Sequence, residues 1–174
     1  MAGFENRDYK IFDLFRNQWA LVTAGNPEHF NTCTVSWGSM GTLWSRSVIT
    51  IYLHPSRYTT EFFLNSATFT VSFFPPECRQ ALSLLGTLSG RDCDKVAASG
   101  LTPVPFGNSV TFAEATQTFL CRKISQQQFA KEGLAPEIQA NYKAKPGVFP
   151  PDENGDWQPH WIFIGEIIEA AEQE

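Results

Sequence analysis

Short segments rich in β-branched and aromatic residues recur along the chain, and turn-forming residues close each of them. Residues 19–24 (WALVTA), 48–53 (VITIYL) and 68–74 (TFTVSFF) are each followed within two residues by glycine or proline. This composition and length is typical of β-strands that end in a turn. Residues 31–37 (NTCTVSW) alternate hydroxyl-bearing with apolar side chains, which is the period of a half-buried strand. The sequence therefore predicts a mainly β fold.

A few helical segments interrupt the predicted strands. Residues 58–65 predict a helix with Thr59 or Thr60 as its N-cap, and residues 78–85 have apolar side chains at amphipathic helix spacing. The other predicted elements are a turn bracketed by Gly38 and Gly41, a helical turn over 94–99 closed by Gly100, strands over 112–124 and 161–168, and a helix over 136–142 within a proline-rich loop. Antiparallel strands with peripheral helices are most simply arranged as a closed barrel, which removes exposed sheet edges.

Length and composition limit the class of protein. The 174 residues are expected to form one domain over 1–174, and 43% hydrophobic against 18% charged residues provides material for a core. No apolar run approaches the ~20 residues of a membrane-spanning helix, and the first ten residues lack a secretory pattern. We therefore expect a cytoplasmic protein without a membrane segment.

Charge and cysteine patterns exclude several functions. The net charge is −5, with seven acids and no Lys or Arg in residues 152–174, and the longest basic run is Arg122-Lys123, so nucleic acid is not an expected partner. The acidic end would steer a basic redox partner, repel NADPH, or simply form a solvated face. The four cysteines lack metal-ligand spacing, which predicts reduced thiols and no metal. Hydrolase, zinc-protease and P-loop motifs are missing from the sequence.

Three local features are candidates for ligand binding. Residues 56–59 (SRYT) combine an arginine with a predicted helix start, and residues 89–92 (SGRD) with Lys95 combine a glycine with two cations; both patterns suit an anion. The hydroxyl groups of residues 32–36, followed by Trp37, suit the polar rim and apolar face of a heteroaromatic ring. Taken singly, each has an ordinary structural explanation: a capped helix, a loop between helices and a solvent-facing strand.

In combination and in order, these motifs resemble the flavin reductase-like family of FMN-binding split barrels, with flavoredoxin-type proteins nearest. The segments that carry the resemblance are WALVTAG (19–25), NTCTVSWG (31–38), GTLW (41–44), RYT (57–59), FTVSFF (69–74), SGRDCDK (89–95) and FIGEI (163–167). The resemblance runs from about residue 19 to residue 167 and fades after Gln126, so no site residue is assigned between there and Pro159.

The resemblance implies an antiparallel split barrel that forms a homodimer and holds one non-covalent FMN near the subunit interface. It implies that the FMN phosphate and ribityl chain are bound by Arg57, Tyr58, Thr59, Ser89, Arg91 and Lys95. It implies that the isoalloxazine is lined by Asn31, Thr32, Thr34, Ser36 and Trp37, with Met40 or Gly41 nearby, and that Trp161 contributes to the cofactor site. His160 is carried over as a residue of the flavin or nicotinamide side.

The activity implied is an oxidoreductase that passes hydride from NADH or NADPH to the flavin, which carries the chemistry, so no catalytic residue is assigned. The alternative is a flavoredoxin-like electron carrier reduced by a protein partner. A barrel that has kept the fold but binds heme or pyridoxal phosphate is a third possibility, because fold does not fix function.

Overall fold

The computed structural model describes residues 3–172, which form nine strands and five α-helices. The strands are β1 Ala20–Asn26, β2 His29–Val35, β3 Gly38–Leu43, β4 Arg46–Leu53, β5 Thr68–Phe73, β6 Pro103–Phe106, β7 Ser109–Phe112, β8 Gln117–Gln128 and β9 Trp161–Glu172. The α-helices are α1 Ile11–Asp13, α2 Tyr58–Asn65, α3 Arg79–Thr87, α4 Lys95–Ser99 and α5 Pro136–Ala144. Short 3-10 turns lie at Phe4–Asn6, Pro76–Cys78 and Lys131–Gly133, and α1 continues as a π-helical turn over Leu14–Gln18. None of the helices in this part of the chain is long and apolar enough to span a membrane.

Seven strands form one antiparallel sheet in the order β2-β1-β5-β8-β9-β4-β3, and β6 and β7 form a separate hairpin. Within residues 3–172, β2 and β3 remain at the two ends of this order, so the sheet is not closed. The expected closed barrel is therefore wrong, whereas the split barrel is confirmed. The long β8–β9 pair contains two register shifts, between Leu120 and Cys121 and between Lys123 and Ser125, irregularities of a kind that bends and twists strands.

The region predicted as a turn between Gly38 and Gly41 is instead strand β3. The chain reverses later, at Trp44 and Ser45, where Leu43 pairs with Arg46 across a two-residue loop. Both loop residues have positive φ angles, 50° and 57°. This is the backbone shape of a hairpin turn in which glycine or asparagine is usual, so the sequence carries no signal for it.

The start of one helix and the start of one strand also differ from the prediction. Helix α2 occupies residues 58–65 as predicted, but its N-cap is Arg57 and not Thr59 or Thr60. Both threonines lie inside the first turn, and Thr60 donates its hydroxyl to the His54 carbonyl at 2.8 Å. The strand predicted over 112–124 begins at residue 117, because Phe112 ends the β6–β7 hairpin, which was not predicted.

The core consists of two clusters of buried apolar residues, which pack the helices against the sheet around β2. The larger cluster lies on the sheet and is rich in phenylalanine, including Phe63, Phe69, Phe73 and Phe163. The smaller cluster, which includes Leu82 and Leu85, packs α3 onto the sheet. Since α2 and α3 both contact β2, the start of one helix and the end of the other lie beside the same edge strand.

Candidate functional site

Two adjoining cavities form a groove along edge strand β2. The larger, about 440 Å³, lies between β2, the start of α2 and the α3–α4 loop, and we call it the polar cavity. The smaller, about 170 Å³, lies between the end of β2, the end of β4 and residues 148–160, and we call it the aromatic compartment. Cys33, Arg57 and Val148 line both cavities. One ligand could therefore extend through both.

Lys95 is the buried cation of the polar cavity, which Arg57 also lines. The carboxylate of Asp94 accepts a hydrogen bond from the Ala97 amide at 3.0 Å, which caps α4 and makes Lys95 its first residue. Its side chain is only 4% exposed, and Nζ donates to the carbonyls of Leu85 and Leu88 at 3.2 and 3.3 Å. An ammonium has three N–H groups, so one remains for a ligand in the cavity.

The electrostatic surroundings of Lys95 favour an anion. Within residues 3–172, neither Lys95 nor Arg57 has a carboxylate within 4 Å. Burial, and to a lesser extent the Arg57 guanidinium, lower the pKa of Lys95. A buried cation without a counter-ion is costly. A bound anion would remove that cost.

The first turn of α2 adds backbone donors to this cavity. The amides of Tyr58 and Thr59 are at the start of the helix, where no carbonyl within the helix can accept them. Arg57 lies beside them and donates from one guanidinium nitrogen to the Gly86 carbonyl at 2.7 Å. Helix amides next to two cations form a site for a phosphate or a similar anion.

Cys33 and Asn31 connect β2 to this helix turn. Asn31 Nδ2 donates to Thr59 Oγ1 at 3.1 Å, and burial raises the pKa of the Cys33 thiol, although Thr59, Lys95 and Arg57 act in the opposite direction. Cys33 therefore lines the groove as an uncharged thiol and is not a thiolate nucleophile.

Aromatic rings from three separate segments surround the compartment. The His160 ring lies 4.9 Å from the Trp37 ring, 5.6 Å from Phe149 and 5.2 Å from His54. Tyr142, behind these rings, lies 4.9 Å from Phe149. The Trp37 ring is half exposed and open to the groove, so the compartment offers an aromatic face with few charges.

Both histidines of this compartment are neutral. Burial is the main cause that lowers the pKa of His54, and burial together with His54 and Arg57 lowers the pKa of His160 to about 3. His54 Nε2 is 3.1 Å from the Gln158 carbonyl and therefore carries the proton, while Nδ1 accepts from Ser56 Oγ at 2.7 Å. The polar edges of His54 are thus used inside the protein.

The structure brings most of the predicted site residues to the groove and places four elsewhere. Those that line one or both cavities are Thr34, Ser36, Trp37, Arg57, Tyr58, Thr59, Ser89, Lys95 and His160, and Asn31 contacts Thr59 behind them. Thr32 points into the core, where it donates to the Val22 carbonyl at 3.0 Å. Met40 lies on the neighbouring surface near Tyr52.

Arg91 and Trp161 are the other two residues outside the cavities. Arg91 forms an ion pair with Glu61 and lies 4.7 Å above the Tyr58 ring, facing solvent. Trp161 stacks on Phe163 at 6.2 Å and packs against the larger core cluster. Neither lines the groove in this arrangement of the chain.

Sequence reasoning missed His54, Tyr142, Val148 and Phe149. These residues come from the end of β4 and from the long segment before β9, where the motifs gave no match. The one usable signal was the aromatic content of the proline-rich segment, at Tyr142 and Phe149. Such content predicts packing but no particular partner.

An open antiparallel sheet of this kind is the architecture of FMN-binding split barrels. Residues 12–174 match the flavin reductase like domain, and the chain belongs to this family. No curated protein matches the chain.

Solved structures with the same fold include three that illustrate the range of the family. Flavoredoxin from Methanosarcina acetivorans is 17% identical, with 100% of this chain and 76% of that chain covered and a TM-score of 0.67. An FMN-binding protein from Thermus thermophilus with bound p-hydroxybenzaldehyde is 18% identical, with coverages of 100% and 78% and a TM-score of 0.67. An NADH:FAD oxidoreductase from Streptomyces globisporus C-1027 is 16% identical, with coverages of 90% and 75% and a TM-score of 0.64.

Proposed function

We propose that this protein binds FMN non-covalently in the groove and catalyses reduction of flavin by NADH or NADPH. The observation that carries the proposal is Lys95, a buried cation with a free N–H group facing a cavity and without a carboxylate partner among residues 3–172. Family membership and the names of the solved relatives, which include an FMN-binding protein and an NADH:FAD oxidoreductase, favour flavin over other anionic ligands.

The polar cavity suits the phosphate end of FMN. Lys95, Arg57 and the first-turn amides of α2 would bind the phosphate, and the hydroxyls of Thr59 and Ser89 would bind phosphate or ribityl oxygens. Arg91, two residues after Ser89, would join them only if its ion pair with Glu61 broke. All of these groups donate hydrogen bonds, and a phosphate dianion only accepts them.

The strand β2 suits the ring. Thr34, Ser36 and Trp37 line the groove beyond Cys33. The Thr34 hydroxyl donates to the Leu82 carbonyl at 2.5 Å, so the polar rim of an isoalloxazine would meet the Ser36 hydroxyl and backbone groups, and its apolar part would meet the Trp37 indole. When bound, FMN would supply hydride acceptance and electron transfer. The residues of the chain would bind and orient the ring. The uncharged Cys33 thiol would lie against it, and the aromatic side chains would exclude water.

The first experiment is titration of FMN into the flavin-free protein, followed by anaerobic addition of NADH and then NADPH. We expect saturable binding with quenched flavin fluorescence, and bleaching of the oxidised-flavin absorption by one of the nucleotides. Bound flavin that bleaches only with dithionite would reject the reductase and support the electron carrier reduced by a protein partner. No bound FMN would reject both.

We also propose that the protein is a homodimer. Phe12 is 84% exposed and Trp37 48% exposed, and both line one surface; a contiguous exposed apolar patch is typical of a protein interface. A further surface groove of about 690 Å³ adjoins the aromatic compartment and is lined by Phe12, Trp37 and Met40. A second copy covering this face would also enclose the flavin site. Sedimentation analysis should give twice the chain mass for the native protein and a monomer for Phe12→Glu.

A further inference from the structure

A third cavity lies beside the groove, between the end of β2 and helix α3, and we call it the α3 cavity. It encloses about 240 Å³. Gly86 and Thr87 line both this cavity and the polar cavity, and residues 34–36 line both this cavity and the aromatic compartment. Trp19 lines the α3 cavity and the surface groove that also contains Phe12, but neither the polar cavity nor the aromatic compartment. A ligand bound in the groove could therefore extend into the α3 cavity from either side.

The backbone of Trp19 is strained. Its φ of 69° and ψ of 150° belong to a region that is essentially confined to glycine, and residues held there cluster at ligand-binding and active sites. Arg79 holds the residue in place, because its guanidinium carbon lies 3.0 Å from the centroid of the Trp19 ring. The same guanidinium donates to the Asn17 carbonyl at 2.5 Å and to the Gln18 carbonyl at 3.4 Å. Trp19 and Arg79 therefore form one fixed unit at the edge of the α3 cavity.

Arg79 keeps binding capacity after these contacts are made. One face of its guanidinium stacks on Trp19, and the residue as a whole is exposed. Among residues 3–172 its side-chain hydrogen bonds come from Nη1 alone, and no carboxylate lies within 4 Å of it. Guanidinium groups stack on flat aromatic rings. A ring that enters beside Trp19 can therefore stack on Arg79 and meet its remaining N–H groups.

The α3 cavity itself suits an uncharged group that carries hydroxyls. None of the side chains that line it within residues 3–172 is charged. The hydroxyls of Ser36 and Ser83 line it without a hydrogen-bond partner in the described part of the chain, and a hydroxyl both donates and accepts. Helix α3 ends at Thr87, and the negative end of its dipole disfavours an anion there. Phosphate groups are therefore better placed outside this cavity, and a sugar with a flat base inside it.

We propose that the α3 cavity, with Trp19 and Arg79 at its edge, binds the adenosine part of a dinucleotide. This inference rests on the proposed function, because the other half of that dinucleotide would occupy the flavin groove. Two sources share the chemistry. FAD would reach the cavity past Gly86 and Thr87, whereas a nicotinamide dinucleotide bound beside FMN would reach it past residues 34–36. FMN and nicotinamide mononucleotide contain no adenosine, so neither uses this cavity.

The test compares each dinucleotide with its mononucleotide by calorimetric titration. FAD and FMN are added to the flavin-free protein. NAD⁺ and nicotinamide mononucleotide, which do not react with oxidised flavin, are added to the FMN-loaded protein. A dinucleotide that uses the α3 cavity should bind about tenfold more tightly than its mononucleotide, which is the effect expected from stacking one base.

Two variants should remove that tenfold difference. Ser83→Trp places a large side chain in the α3 cavity from an exposed position of α3, and Arg79→Met removes the guanidinium but keeps an unbranched side chain. Gln80→Trp is the matched control, because Gln80 is exposed on the same helix and lines neither the α3 cavity nor the groove. It should retain the difference. FMN affinity should be unchanged in all three variants.

The outcomes distinguish this inference from the proposed function. A difference between FAD and FMN that both variants lose supports FAD as the occupant, and such a difference between NAD⁺ and nicotinamide mononucleotide supports the nicotinamide dinucleotide. Equal affinities within both pairs in the native protein, or a difference that either variant retains, would overturn the inference. FMN that fails to bind the native protein would reject the proposed function, whereas FMN that binds with no advantage for either dinucleotide would reject this inference alone.

Discussion

Asn31 Nδ2 donates a hydrogen bond of 3.1 Å to Thr59 Oγ1, and this contact joins strand β2 to the first turn of α2. Both side chains are buried. The strand proposed to contact the flavin ring is thereby held at a fixed distance from the helix start proposed to bind the phosphate. Several consequences of this arrangement can be measured.

Asn31→Ala removes the bond and leaves the Thr59 hydroxyl without its donor. We expect the free energy of unfolding to fall by about 1–2 kcal/mol and FMN to bind more weakly, because the helix start is less well held. Urea unfolding and FMN titration are the measurements. Asn108→Ala, at an exposed turn, should change neither. An effect on stability without any effect on FMN would limit Asn31 to a structural role.

Lys95→Met should weaken FMN binding by about 1–3 kcal/mol, because a charge-assisted contact to the phosphate is lost. Arg57→Ala should have an effect of similar size. The chain offers a matched control in Lys123, whose Nζ also donates to two carbonyls, those of Phe63 and Leu64, but away from the groove. If Lys123→Met reduces FMN affinity as much as Lys95→Met, the phosphate assignment is wrong.

Gly90→Ala should disturb the groove through a steric contact. A Cβ atom at this position would lie 2.7 Å from Asn31 Oδ1 and 3.3 Å from Tyr58 Cδ1, so the α3–α4 loop must shift away from β2. We expect a loss of about 1–2 kcal/mol in stability and weaker FMN binding, read from calorimetry and titration. Gly133→Ala meets nothing within 4 Å. It should behave as the native protein.

The neutral histidines make stability dependent on pH. Burial lowers the pKa of His160 to about 3 and also lowers that of His54. Because the unfolded chain binds a proton near pH 6.5 and the folded chain does not, the stabilisation is complete above pH 6.5 and is lost as the pH falls toward 3. For His160 alone, the loss between pH 7 and pH 5 is about 2 kcal/mol.

Urea unfolding of flavin-free protein at both pH values measures this loss. In His160→Gln, which has no ionisable group at this position, the loss between pH 7 and pH 5 should be smaller by about the same 2 kcal/mol. An identical pH dependence in the native and variant proteins would show that His160 is already protonated, or equally accessible, in the folded state.

The parts of this molecule that the sequence predicted correctly are those with local causes. Helix α2 occupies 58–65 as expected, and α4 ends at Gly100 with φ of 75°, a left-handed conformation that glycine adopts without strain. Strand β3 was not predicted, because the turn that follows it has positive φ angles at Trp44 and Ser45. Glycine and asparagine are the usual residues of such a turn, and neither is present.

The candidate site divides in the same way. That Arg57, Ser89 and Lys95 line one cavity could be expected, because they belong to short motifs that suit an anion; that they bind one stays a prediction. Its aromatic half was not, because the contact of His160 with Tyr142, Phe149 and His54 depends on how the proline-rich segment folds over the end of β4. The spacing of these residues in the sequence does not predict that they are in contact.

Val148 touches both the polar cavity and the aromatic compartment, although its side chain is largely exposed. A ligand that occupies both cavities would contact Val148. Gly147 and Pro150 also line the polar cavity, and Phe149 also lines the aromatic compartment. We therefore expect substitutions in residues 147–150 to change the release rate of a ligand that fills both cavities more than substitutions at Lys95 or Arg57 do, and those two cations to dominate its equilibrium constant.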